Sequence, residues 1–294
     1  MYCPKCKRLI EDNSVYCEYC GYKIKKSKWP LVGAITGAVV VIVVVIVVAT
    51  SSSGKFKVKD KDSCTFLVGN VSFTMKKVDG GTFMMGAEDN DSESKAWEKP
   101  THRVTLDSYY IGETEVTQSL WEEVMDYNPS KHVGNNYPVD NVNWNECVEF
   151  CQRLSQKTGR HFRLSTEAEW EFAARGGNSS KGYKFSGSNF LKDVAWSLDD
   201  SDSVPHPVRQ KHPNELGLYD MTGNVWEICS DLYARYSGGI ENNPKGPATS
   251  DKGHVRRGGG WLNKASSSRV SYRYYTPFGQ SNDFLGFRLA MDCE

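Results

Sequence analysis

Residues 31–50 read LVGAITGAVVVIVVVIVVAT, twenty positions without a charge. No other feature restricts the fold as strongly, because a helix needs about 20 apolar residues to cross a hydrocarbon core. The β-branched residues would suit a strand in water, but in lipid only a helix satisfies every backbone group within one segment. A cleaved leader fits poorly, since the run is long for such an apolar core and follows a cysteine-rich stretch. A single transmembrane helix over 31–50 is expected, dividing the chain into a short N-terminal piece and a large C-terminal one.

The N-terminal piece, residues 1–26, carries Cys3-Pro-Lys-Cys6 and Cys17-Glu-Tyr-Cys20. Two C-x2-C knuckles can close a tetrahedral thiolate site with no position left for a substrate. A segment this short buries no core of its own, so metal would supply its folding energy. The spacing predicts a zinc ribbon with Zn2+ on Cys3, Cys6, Cys17 and Cys20; two disulfides are the alternative. The piece resembles the small structural or interaction ribbons of bacterial membrane proteins, which implies a cytosolic partner rather than catalysis. Lysines flank the apolar run about equally, Lys23, Lys25, Lys26 and Lys28 before it and Lys55, Lys57, Lys59 and Lys61 after it. The positive-inside rule is therefore balanced. A thiolate zinc site favours a reducing compartment, which puts the N-terminus in the cytoplasm and the large domain on the other side of the cell membrane. Residues 51–69 read as a linker. The formal net charge of +0 offers nucleic acid no basic field, and no phosphate-binding or dinucleotide fingerprint is present.

Residues 70–294 form the globular part. Phe73 to Met85 alternates around Asp79-Gly80-Gly81, which predicts a hairpin, and Val104 to Ile111 predicts a further strand. Thr117 to Tyr127 and Trp144 to Lys157 have helical periodicity, and Cys147 and Cys151 on the second helix read as core thiols. Thr166 and Glu169 form a capping-box pattern before a short helix around Trp170; the carboxylates of Glu167, Glu169 and Glu171 read as a dipole-favoured helix start. From 178 to 260 regular periodicity fades into Gly, Pro, Asn and Ser. Inside that region Gly217 to Glu227 reads GLYDMTGNVWE. Asp220 and Glu227 flank a glycine turn, so the loop is either a calcium site or a buried turn held by Trp226.

Seven stretches in order resemble the formylglycine-generating enzyme family, also called the sulfatase-modifying factor domain. They are GGTFMMG, ETEVTQSLWEEVM, YPVDNVNWNECVEFCQRL, RLSTEAEWEFAARGG, GLYDMTGNVWE, RRGGGW and GFRLA. The resemblance implies an α+β, modified C-type-lectin-like fold rich in ordered loops. Active members oxidise a peptide cysteine to formylglycine with oxygen and a copper ion held by two cysteines. Here those positions fall on Asn263 and Ser268, Gly260 replaces the serine before the aromatic, and no cysteine lies between Cys229 and Cys293. Thiolates hold Cu(I) and an amide and a hydroxyl do not, so copper is not expected. A non-haem iron branch needs imidazole ligands, and the six histidines show no His-x3-His pair. The fold also serves as a scaffold that displays a ligand-binding face. On that reading Trp261, Asn263, Arg269, Arg273 and Tyr274 are the candidate contacts for a protein or peptide ligand. The resemblance also implies structural Ca2+ at Asp220, Gly223, Val225 and Glu227, and adjacent domain ends that would let Cys64 and Cys293 form a disulfide. Two functions follow: a binding or scaffold module on a degenerate active-site face, or a metal-dependent oxidase of a protein or small thiol.

Overall fold

The computed structural model describes residues 57–59 and 61–293. The ribbon cysteines and the apolar run 31–50 lie outside the described residues. Among the described residues no helix is long and apolar enough to cross a membrane.

The strands in the first half are β1 (Lys57–Lys59), β2 (Ser63–Val68), β3 (Val71–Val78), β4 (Gly81–Met85), β5 (His102–Leu106), β6 (Tyr109–Gly112) and β7 (Phe162–Leu164). The second half adds β8 (Trp226–Leu232), β9 (Ile240–Asn242), β10 (His254–Arg257), β11 (Arg273–Thr276), β12 (Leu285–Gly286) and β13 (Leu289–Asp292). They form a six-stranded sheet ordered β1-β2-β3-β6-β13-β7, a four-stranded sheet β11-β10-β8-β12 and a three-stranded sheet β4-β5-β9.

Helices α1 (Gln118–Met125), α2 (Trp144–Thr158) and α3 (Glu167–Ala174) begin where side chains satisfy the free N–H groups. Asn143 accepts from the N–H groups of Asn145 and Glu146, and Thr166 from that of Glu169. Glu146 and Glu169 reach back to close capping boxes. Gly159, at φ 71°, stops α2. Trp121 of α1 stacks on Phe150 of α2 with ring centroids 5.2 Å apart, and Phe287 meets both edge-on. Cys147 and Cys151 are buried core thiols, and burial pushes Cys151 up to about 12.

Four expectations need correction. The stretch 73–85 is not a hairpin: β3 pairs with β6 while β4 pairs with β5, in different sheets. Gly80 and Gly81 are needed for close approach, since a Cβ on Gly81 would come within 2.2 Å of Asn178 Oδ1 and one on Gly80 within 2.5 Å of Leu106 O. The expected strand 104–111 likewise breaks at Asp107 and Ser108 and crosses between the same two sheets. The linker ends early, because β2 already places Cys64, Phe66 and Val68 in the core. Finally, β3 and β6 lie between β2 and β13. Three strand spacings are about 14 Å, so Cys64 on β2 and Cys293 just past β13 are beyond disulfide reach.

Candidate functional site

No helix or strand forms between α4 (Leu191–Val194) and β8, so 195–225 is loop held by side chains. Asn224 organises it. Its amide accepts from His206 N–H at 2.9 Å and donates to Glu115 at 3.0 Å, and Glu115 accepts from Val225 N–H at 3.2 Å. Asp220, Gly223 and Asn224 all adopt positive φ. A Cβ on Gly223 would stand 2.4 Å from Trp196 O, so only glycine fits there.

The loop ends on Glu227, which is 1% exposed. Arg288, fully buried, takes both of its oxygens at 2.6 Å, and Trp170 Nε1 donates to one of them, also at 2.6 Å. Two more of the Arg288 N–H groups donate to the carbonyls of Gly112 and Tyr219. The expected calcium set is Asp220, Gly223, Val225 and Glu227, two carboxylates and two backbone carbonyls. Both oxygens of Glu227 face the Arg288 guanidinium, and Asp220 keeps a buried side-chain oxygen, Oδ1, without a hydrogen bond. Among the described residues no group of three or more His, Cys, Asp and Glu is arranged around a metal position. Three carboxylates thus share one guanidinium. Burial, with Asp220 and Glu227 beside it, holds Glu115 well above the usual carboxylate range, and burial pushes Asp220 up to about 6.

Two more buried arginine clusters hold the C-terminal segments. Glu167 of α3 accepts from Arg273 Nε and a terminal nitrogen at 2.6 Å each, and from Arg257 Nε at 2.9 Å. Glu171 binds Arg257 and Arg175. Burial opposes both charges, but the arginines outweigh it, keeping Glu167 low and Glu171 at about 2. Glu98 grips Arg269 through both oxygens, at 2.6 and 2.9 Å, and Ser271 joins them. Thr166 and Glu169 make the expected capping box, with Glu167 and Glu169 in the first turn of α3. Glu169 is the cap, while Glu167 and Glu171 are buried charge partners.

These contacts redistribute the candidate ligand residues. Arg269 and Arg273, each 2% exposed, face inward and are structural. Trp261 is buried as well, donating from Nε1 to Asp283 O at 3.2 Å. Asn263 and Tyr274 remain accessible. Asn263 Oδ1, in the place of the first family cysteine, accepts from Trp226 Nε1 at 2.8 Å and from Gly260 N–H at 3.0 Å. Ser268, in the place of the second, is 1% exposed with its hydroxyl directed to Lys264 O. Tyr274 packs on Tyr275 and on Trp97, and all three line a cleft of about 660 Å³. Sequence reasoning missed Glu98, Glu115 and Arg288. Glu115 and Arg288 carry opposite charges inside separate motif stretches, which was the available signal; Glu98 lies outside those stretches.

Capped short helices, three small sheets and long side-chain-stapled loops define a mixed α+β domain of the formylglycine-generating type. The chain belongs to the sulfatase-modifying factor enzyme 1-like family, whose model matches residues 71–293. It is 30% identical to the chaperone protein LppX of Paenibacillus barcinonensis, covering 69% of this chain and 83% of that one. It is 32% identical to the formylglycine-generating enzyme of Streptomyces coelicolor, covering 54% of each, so it spans about half that enzyme's length. Among solved structures, Treponema denticola variable protein 1 superposes with a TM-score of 0.72 at 35% identity, covering 79% of this chain and 99% of that one.

Proposed function

We propose that this domain is a binding or scaffold module that uses the face on which family enzymes hold copper, and that it does not perform copper-thiolate oxidation. The observation that carries the reading is the state of the two cysteine positions. Asn263 bridges Trp226 and the Gly260 backbone, and Ser268 is packed into the turn that follows. Neither offers a soft ligand to Cu(I). Cys229, the preceding thiol along the chain, is fully buried, and burial with Asp231 nearby keeps it protonated.

The sequence supports the rest of the arrangement. The module stands on a single span over 31–50, extracytoplasmic, with a zinc ribbon on Cys3, Cys6, Cys17 and Cys20 at the cytoplasmic end. Its ligand is a protein or peptide, because the accessible face presents Tyr274, Tyr275 and Trp97 along an open cleft. The alternative, an oxidase of a protein or small thiol, draws support from the identity to the Streptomyces enzyme. The residues here give its metal no thiolate pair. The test is a peptide library screened on the immobilised full chain. Retained peptides are expected to lose about tenfold or more in affinity on Tyr274→Ala, as for an interface anchor, while the melting temperature holds. A library from which no peptide is retained in a Tyr274-dependent way removes the reading.

A further inference from the structure

Every buried arginine described so far is matched to a carboxylate; the half-buried Arg256 is not. It lies on β10 between β8 and β11, opposite Ile228 and Tyr274. Its guanidinium sits among three rings, 4.7 Å from the centroid of Trp226, 5.2 Å from Tyr274 and 5.7 Å from Phe284. Nε is buried without a hydrogen bond. Among the described residues no acidic side chain pairs with this arginine, and its terminal nitrogens, also unbonded, reach the surface. Burial pushes its pKa down, and only Tyr274, Tyr272 and Tyr275 push it back up. A cation desolvated without a counter-charge is costly to hold. The rings recover part of that cost through their negative faces. The unmet part is the pairing that a guanidinium makes best, two parallel N–H groups on two oxygens.

The neighbourhood is the binding face. Trp226, on which Arg256 stacks, is bonded to Asn263. Tyr274, its second ring, lines the cleft that also carries Arg235, Asp251 and Lys252. Asp251 and Lys252 pair with each other, which leaves the cleft one positive charge in excess. One boxed guanidinium matches one unit of negative charge; a phosphate dianion would call for a second cation beside it.

We propose that Arg256 reads a carboxylate of the ligand. An acidic side chain of a bound peptide pairs two oxygens with the outer edge of the guanidinium, the rings of Trp226, Tyr274 and Phe284 shield the pair from water, and the peptide continues along the cleft beside Tyr274. The proposal rests on the binding-module reading and narrows its ligand class to acidic peptides.

The test uses the full chain and an array of nine-residue peptides in matched sets that carry Glu, Gln or phosphoserine at one position. The Glu peptides are expected to bind about tenfold tighter than their Gln partners, equal to about 1.4 kcal/mol. Arg256→Gln should erase that preference, and Arg256→Lys, which keeps the charge but not the fork, should keep only part of it. Arg256→Gln should also melt at or above the native temperature, because it removes an unpaired cation; a purely structural arginine would melt lower. Equal binding of Glu and Gln peptides overturns the carboxylate assignment while leaving the binding module standing, and tighter binding of the phosphoserine peptides overturns it in favour of phosphate. Retention of no peptide at all overturns both.

Discussion

Replacing Arg288 by Met would test the staple at the centre of the loop. Arg288 makes four hydrogen bonds, two to Glu227 and one each to the carbonyls of Gly112 and Tyr219. Met fills most of the volume and satisfies none of them. Glu227 would then stay buried beside Glu115 and Asp220 with only Arg209, acting on Asp220, as a nearby cation. Removing one partner of a buried pair costs about 3–5 kcal/mol. For a domain of this size each kcal/mol lowers the melting temperature by about 2–4 °C, so a fall of roughly 6–20 °C is expected. The loss should shrink as pH is lowered. Glu115 and Asp220, already raised by burial, lose the lowering influence of Arg288 and rise further, and a raised carboxyl stabilises the fold when protonated and loses that contribution as pH rises. Adding Glu227→Gln to Arg288→Met should recover part of the loss, with a coupling energy of about 0.5–3 kcal/mol in a double-mutant cycle. The measurements are thermal melts and urea unfolding of the four proteins at pH 5 and pH 8. Arg288→Met melting within about 2 °C of the native protein, or losing as much at pH 5 as at pH 8, would refute the reasoning.

Other outcomes follow from the same geometry. Burial pushes Asp231 up to about 7 and Asp220 to about 6, while arginines hold Glu171 near 2. The raised groups lose their contribution as pH climbs from the ordinary 3.8 through 6 to 7, and Glu171 loses its own only as pH falls from 4.5 toward about 2. Thermal melts should therefore peak in mildly acidic buffer, and Asp231→Asn should flatten the alkaline side; a melt independent of pH between 5 and 8 contradicts this. Gly223→Ala places a Cβ 2.4 Å from Trp196 O at φ 81° and should cost about 2–4 kcal/mol in urea unfolding. Calcium at millimolar concentration should leave the melt of the full chain unchanged, because Glu227 is already held by Arg288; a calcium-dependent rise would show that Glu227 leaves the arginine for the ion.

The helices were legible in the sequence because their signals are local. Asn143, Thr166 and Gly159 announce ends that depend on residues within four positions. Strand partners were not legible, since a period of two identifies a strand without naming its neighbour. That is how two sheet-crossing segments, 71–85 and 102–112, read as a hairpin and a strand. The site failed for a related reason. Arg269 and Arg273 have the composition of a recognition patch, and nothing near them in sequence reveals Glu98 and Glu167, 171 and 106 residues away. Asn263 and Tyr274 stay accessible, and the motif fixes only their positions along the chain. Arg256 drew no notice beside Arg257, although strand alternation sends the two to opposite faces.

The central claim is that this family member binds and does not oxidise through copper. The direct measurement incubates the full chain with copper, oxygen and a peptide containing Cys-x-Pro-x-Arg, then follows the peptide by mass spectrometry. The thiol is expected to stay intact with no aldehyde product. Conversion of that cysteine to formylglycine, abolished by changing Asn263 or Ser268, would contradict the account.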